Sequence, residues 1–238
     1  MNSQGKVLLL SAVKRCGFIA VLAGVMIFGQ TTSAMAATPM EQEQLVDKAK
    51  MTMEAFAADP ALKDAVRGWR DAKGLFIVPQ LLRGAFIFGG AGGSGVLLAR
   101  DEKTGQWSQP AFYNIGAVSF GIQAGGDASE LVFVVTSQRA LEKFYSSDFK
   151  LGADTGITVG PVGGSTSVAG VGADIVSYGR TKGAFGGMAL DGAIIAVSDE
   201  SNERYYGRGV RPADILIKRS VTNPKSADLQ AAAVDLMK

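Results

Sequence analysis

The chain has 238 residues, with 24 basic and 22 acidic side chains, one cysteine (Cys16) and no histidine. Residues 1–36 hold three of the basic residues and no acidic one, so the remainder carries 21 basic against 22 acidic. Beyond residue 36 this excludes whole-molecule basicity as a reason to bind nucleic acid, Ser-His-Asp or Cys-His catalysis, disulfides, and the usual zinc ligands.

Lys6, Lys14 and Arg15 precede Gly17–Gly29, thirteen residues without a charge, and Ala34-Met35-Ala36 supplies an A-x-A site. That is the pattern of a secretory signal peptide, with an apolar run too short to span a bilayer. Cys16 precedes the run instead of ending it, so the expected product is an unlipidated protein, periplasmic or secreted. Residues 37–238 suit one domain: 37–73 helical, 74–218 β-rich, and 226–238 a C-terminal helix.

Thr38-Pro39-Met40-Glu41 combines a capping box with proline at the first helical position, and Leu45, Ala49, Met53 and Phe56 follow at helical spacing. Asp59-Pro60 repeats the start signal, and Leu62, Val66 and Trp69 form a second stripe ending near Gly74. Three short apolar runs follow: Leu75–Val78, Ala85–Phe88 and Val96–Ala99. Each is bounded by Gly or Pro and reads as a separate buried strand. Between the last two, Gly89–Gly95 has five glycines in seven positions and reads as a structural loop or bulged connection with at least one positive φ. Gly90, Gly92 and Gly95 satisfy G-x-G-x-x-G, but no helix follows to hold a pyrophosphate, so no nucleotide cofactor is expected.

Trp107–Tyr113, Val118–Ala124, Leu131–Thr136, Ile157–Val159, Ala173–Tyr178, Ala184–Leu190 and Ala193–Val197 read as further strands, with Asp191-Gly192 as a hairpin turn. Ser137 can cap a short helix carrying Leu141, Phe144 and Tyr145, and Ser226 a final one. Of the 31 glycines, 25 lie between Gly84 and Gly209, which suits strands that curve sharply. The expected class is α+β: N-terminal helices packed on a Gly-rich, strongly curved, mainly antiparallel β-sheet, barrel-like or a bent sandwich.

With no histidine, acid–base chemistry would fall to carboxylates. Asp127, Glu130, Asp154, Asp174 and Asp191 each read more simply as turn formers or solvated charges. Tyr205-Tyr206 reads as strand alternation, one ring inward and one outward. No catalytic or metal-binding residue is expected. A basic–Gly–apolar–Phe tetrapeptide occurs at Lys73–Phe76, Arg83–Phe86 and Lys182–Phe185, each placing a cation at a strand mouth. If the first two runs are antiparallel neighbours, Lys73 and Arg83 lie at opposite ends.

KGLFIVPQLLRGAFIFGGAGGSGVLLAR, WSQPAFY, SFGIQAGG, LGAD, VGPVG, SYGRTKGAFGGMALDGAII and YYG occur in an order that resembles the SYLF domain, over roughly Leu45 to Leu216. That family includes yeast actin-patch proteins, eukaryotic phosphoinositide-binding proteins and many bacterial secreted members. The resemblance implies a non-enzymatic, lipid-binding α+β module. No SH3 or FYVE sequence is read beside it, and export would remove actin and phosphoinositides. Anionic bacterial phospholipid is then the implied ligand class. An envelope protein partner and homo-oligomerisation stay open.

Lys63, Arg67 and Arg70 share one helical face, which Lys73 continues, beside the stripe of Leu62, Val66 and Trp69. A helix lying in a membrane interface has this arrangement; so does a surface helix with its stripe on the core. The candidate lipid-contacting set is Lys63, Arg67, Trp69, Arg70 and Lys73, with Arg83 and Lys182 at two further strand mouths.

Overall fold

The computed structural model describes residues 39–85, 88–120, 125–146, 148–159, 173–182, 190 and 192–236. The expected signal peptide, residues 184–189 of the strand expected at Ala184–Leu190, Asp191 of the expected hairpin turn and residues 121–124 of the strand expected at Val118–Ala124 lie outside them.

Helix α1 (Pro39–Ala58) begins at the proline, as its fixed φ favours. Val46, Ala49, Met53 and Phe56 make its buried stripe, with Val46 taking the place expected for Leu45. The helix stops at Asp59, before Pro60, where the α conformation is disfavoured. Asp59 Oδ1 accepts the Ala61 N–H at 2.9 Å, opening the next turn. That turn becomes α2 (Lys63–Arg67), which tightens into a 3₁₀ segment at Gly68–Asp71.

The strands are β1 (Gly74–Ala85), β2 (Phe88–Ala99), β3 (Ala111–Phe120), β4 (Gly125–Val135), β5 (Phe149–Lys150), β6 (Ile157–Val159), β7 (Ile175–Lys182) and β8 (Ile194–Val197). They form one strongly curled sheet in the order β5-β8-β3-β2-β1-β4-β7-β6. Every pairing is antiparallel except β6 with β7. Helices α3 (Gln138–Ser146), α4 (Asp199–Tyr206), α5 (Pro212–Leu216) and α6 (Ala227–Asp235) complete the described elements. Ser137 Oγ accepts the Ala140 N–H at 3.1 Å, capping α3 as its position requires.

Both faces of the sheet are covered at one end of the strands, so side chains there are apolar in unbroken runs. Leu75, Ile77, Val96, Leu98, Phe112, Val132 and Val134 pack under α1, α2, α4 and α6. Phe76, Val78, Leu97, Tyr113, Leu131 and Phe133 pack under α3 and α5. Alternation of side chains with period 2 divides the runs between the two cores.

Several expectations are corrected. Leu75–Val78 and Gly84-Ala85 belong to one strand, not two. Pro79 sits at a β-bulge, where the register shifts between Ile77 and Gln80, so the residue without an N–H leaves the ladder. Gly89–Gly95 is strand interior in β2, paired on both sides, and not a loop. Gly90, Gly92, Gly93 and Gly95 all lack positive φ; the described glycines that have it are Gly105, Gly152, Gly192 and Gly207. Close approach is the cause instead. A Cβ on Gly93 would lie 2.4 Å from the Gln80 carbonyl, and one on Gly95 would lie 2.4 Å from that of Ile77. The bulge presses β1 onto β2 at those two positions.

Tyr205-Tyr206 ends helix α4 instead of lying in a strand, and Gly207 at φ +71° stops the helix. The Ser198-Asp199-Glu200 start and the Gly207 stop were helix signals in the sequence. Gly192 turns with positive φ, but β8 pairs with β3 and β5. Ser226 donates to Gln109 Oε1 at 2.7 Å and does not cap α6, whose Leu229 and Ala233 are docked in the core.

Candidate functional site

The second helical segment places its cations outward and its stripe inward. Lys63, Arg67 and Arg70 are exposed, whereas Leu62, Val66 and Trp69 are buried. Trp69 is 0% exposed, its ring 6.0 Å from Phe56 and 5.3 Å from Tyr178 between centroids. It therefore leaves the set of surface-contacting residues, because Phe56 of α1 and Tyr178 of β7 enclose an indole too large to leave unburied. Lys73 Nζ lies 2.5 Å from Glu102 Oε1, and the Arg70 carbonyl accepts from Arg100 Nη1 at 2.5 Å.

Arg83 lies in β1, ten positions beyond Lys73, which directly precedes the strand, so the two are about 30 Å apart at the rise of an extended chain. The two do stand at opposite ends, of one strand instead of two. Lys182 ends β7, opposite Ala128, which is opposite Leu82. The seven candidate residues are not one site.

The sequence reading missed the surface at the far end of the strands. Leu82, Gly92, Gly116 and Ile194 are consecutive ladder partners across β1, β2, β3 and β8. Val118, Gly90 and Gly84 form the next row on the same face. That face is the one α1 and α2 cover further along, since Val118 is in phase with buried Phe112. Here Leu82 is 54%, Val118 77% and Ile194 52% exposed, standing on a glycine floor. Exposed Lys150, opposite Ile194, ends the Leu82 row. These three apolar side chains are spread over β1, β3 and β8, with glycines at the ladder positions between them.

Between α1 and this face lies a groove of about 530 Å³, lined by Met51, Ala55, Pro79, Ala128, Lys48 and Arg180 among others. Arg180 bridges Glu130 at 3.0 Å and Asp59 at 3.4 Å, which commits all three charges to one another.

Several other titratable groups hold local structure. Asp174 accepts from Ser137 Oγ, then Arg139 and the Gly156 N–H, and these bonds hold its carboxyl below the usual 3.8. Asp154 accepts the Lys150 N–H at 2.7 Å. Burial pushes the Tyr145 hydroxyl up to about 12, with Glu142 and Glu102 adding to it. Burial also raises Tyr206, whose hydroxyl donates to the Pro110 carbonyl at 2.6 Å. Tyr205 is buried against Phe112, with ring centroids 4.9 Å apart. Among the described residues no three His, Cys, Asp or Glu side chains gather to hold a metal, and no helix is long and apolar enough to cross a membrane.

A family described as "Ysc84: Las17-binding protein actin regulator" matches residues 116–235. The yeast protein YSC84 of Saccharomyces cerevisiae is 33% identical over 184 residues, 74% of this chain and 38% of that protein. An SH3 domain-containing protein of Schizosaccharomyces pombe is 34% identical over 165 residues, 66% of this chain and 37% of that protein. The SH3 domain-containing YSC84-like protein 1 of Bos taurus is 32% identical over 162 residues, 66% of this chain and 46% of that protein. The chain thus spans less than half the length of each of these relatives. No solved structure matches it.

Proposed function

The chain belongs to the Ysc84 family, the SYLF domain, and we propose that this member is a non-enzymatic module that docks on anionic phospholipid of the bacterial cell envelope. The observation that carries this reading is the glycine-floored face bearing Leu82, Val118 and Ile194. Each cation near an anionic surface contributes about 1 kcal/mol, so Lys63, Arg67 and Arg70 supply about 3, weaker than millimolar affinity alone. Useful binding needs apolar insertion as well. Trp69 is enclosed and cannot provide it, whereas the three exposed side chains can, on the same side of the sheet as α2.

The test is co-sedimentation with phosphatidylcholine vesicles, with and without phosphatidylglycerol, at low and high salt. The protein should bind only the anionic vesicles and release in high salt. The Leu82→Gln/Val118→Gln/Ile194→Gln variant should lose binding with its melting temperature nearly unchanged, and Lys63→Gln/Arg67→Gln/Arg70→Gln should bind roughly a hundredfold more weakly. Wild type that ignores anionic vesicles would sink the lipid reading. Export follows in the same reading: intact mass should show cleavage after Ala36, and a product retaining Cys16 would contradict a periplasmic location.

The family's description as Las17-binding favours a second reading, in which the same face takes a protein. On that reading wild type would not co-sediment, and the triple Gln variant would lose a protein partner instead.

A further inference from the structure

We propose that the groove between α1 and the sheet takes up the hydrocarbon chain of one anionic amphiphile, so that the domain can hold a single lipid molecule away from a bilayer. This deepens the lipid reading above and rests on it. The volume of about 530 Å³ falls within the roughly 300–1,000 Å³ range of small-molecule sites.

The groove exists because three local choices coincide. The bulge at Pro79 displaces β1 from regular pleating beneath the helix. Ala55 on α1 and Ala128 on β4 present small side chains where larger ones would close the space. The α1 stripe of Ala49, Met53 and Phe56 is used on the core, which leaves Met51, 59% exposed, as a flexible apolar wall. Ala128 is also the ladder partner of Leu82. The groove therefore borders the exposed apolar face at Ala128.

Charge selects the head group. Arg180 is neutralised by Glu130 and Asp59. Lys48 is exposed and forms no ion pair among the described residues, which leaves one uncommitted cation at the mouth. Met51, Ala55, Pro79 and Ala128 give the groove an apolar strip, bordered by Thr52, Gln80, Ser129 and the Glu130–Arg180 pair; with Lys48 at the entrance, that strip complements a carboxylate or phosphate on a hydrocarbon chain. A free fatty acid and a phospholipid both offer that chemistry.

Calorimetric titration of the protein with monomeric dodecanoate, dihexanoyl phosphatidylglycerol and dodecyltrimethylammonium tests this. Dodecanoate or the phosphatidylglycerol should bind, the former alone indicating a free fatty acid, and the cationic amphiphile should not. Ala55→Trp should abolish that binding while leaving anionic-vesicle co-sedimentation unchanged. Lys48→Glu, an exposed change that spares the fold, should weaken it at least tenfold. Absence of binding by wild type, equal binding of the cationic amphiphile, or wild-type affinity in a folded Ala55→Trp protein would each overturn the inference. Loss of vesicle binding with dodecanoate binding retained would count against membrane docking alone.

Discussion

Strands β1 to β4 carry two chemistries along their own length. At one end Leu75–Val78, Val96–Ala99 and Leu131–Val135 are buried on both faces by helices. At the other end the same ladders continue through Gly84, Gly90, Gly92, Gly116 and Gly126, with Leu82 and Val118 in water. Backbone hydrogen bonding is common to both ends, so it is not what separates them. Burial is: each Val, Leu, Ile or Phe removed from water contributes about 1.5–3 kcal/mol, and the glycine end gains little of this. The covered end holds the fold, and the uncovered end contributes little burial to it.

This contrast can be broken most severely at the covered end. Trp69→Ala should cost about 3–5 kcal/mol, because it empties the space between Phe56 and Tyr178. Denaturant melts would show it, and a loss below about 1 kcal/mol would mean that Trp69 is not core.

The junction between the two ends is the next most sensitive place. A Cβ on Gly95 would stand 2.4 Å from the Ile77 oxygen and 2.8 Å from the Phe76 ring. Gly95→Ala should therefore cost about 1–3 kcal/mol, the usual penalty of overpacking. An unchanged melting midpoint would show that β1 can move away from β2.

The smallest effect has the opposite sign. At Gly90 the nearest atom to an added Cβ is 3.8 Å away, an ordinary contact. Gly90→Ala should stabilise the protein by about 0.5–1 kcal/mol, since glycine in a strand interior costs that much relative to alanine. Destabilisation there would mean that the glycine end is itself tightly packed.

The element list was largely legible because it follows from local chemistry. Pro39 starts α1, Pro60 follows its end, and Leu75–Val78, Val96–Ala99 and most of Leu131–Thr136 lie in strands as expected. Local signals also erred where two rules competed. Pro79 looked like a strand end, but a bulge removed it from the ladder and β1 continued. The glycine run looked like a loop, but its neighbours on β1 and β3 paired with it throughout.

What sequence by itself determined was the periodicity: which residues share a stripe, as Leu62, Val66 and Trp69 do, and which cations stand beside it. Whether that stripe faced a membrane or a core was decided by Phe56, just before it on α1, and by Tyr178 of β7, distant in the chain and brought to Trp69 by the curled sheet. The same holds for the exposed face and the groove. Leu82, Val118 and Ile194 become neighbours through ladder register, and Ala55, Pro79, Ala128 and Arg180 line one space because a helix crosses a bulge. Periodicity is a property of a few successive residues, whereas exposure depends on what the rest of the chain leaves uncovered.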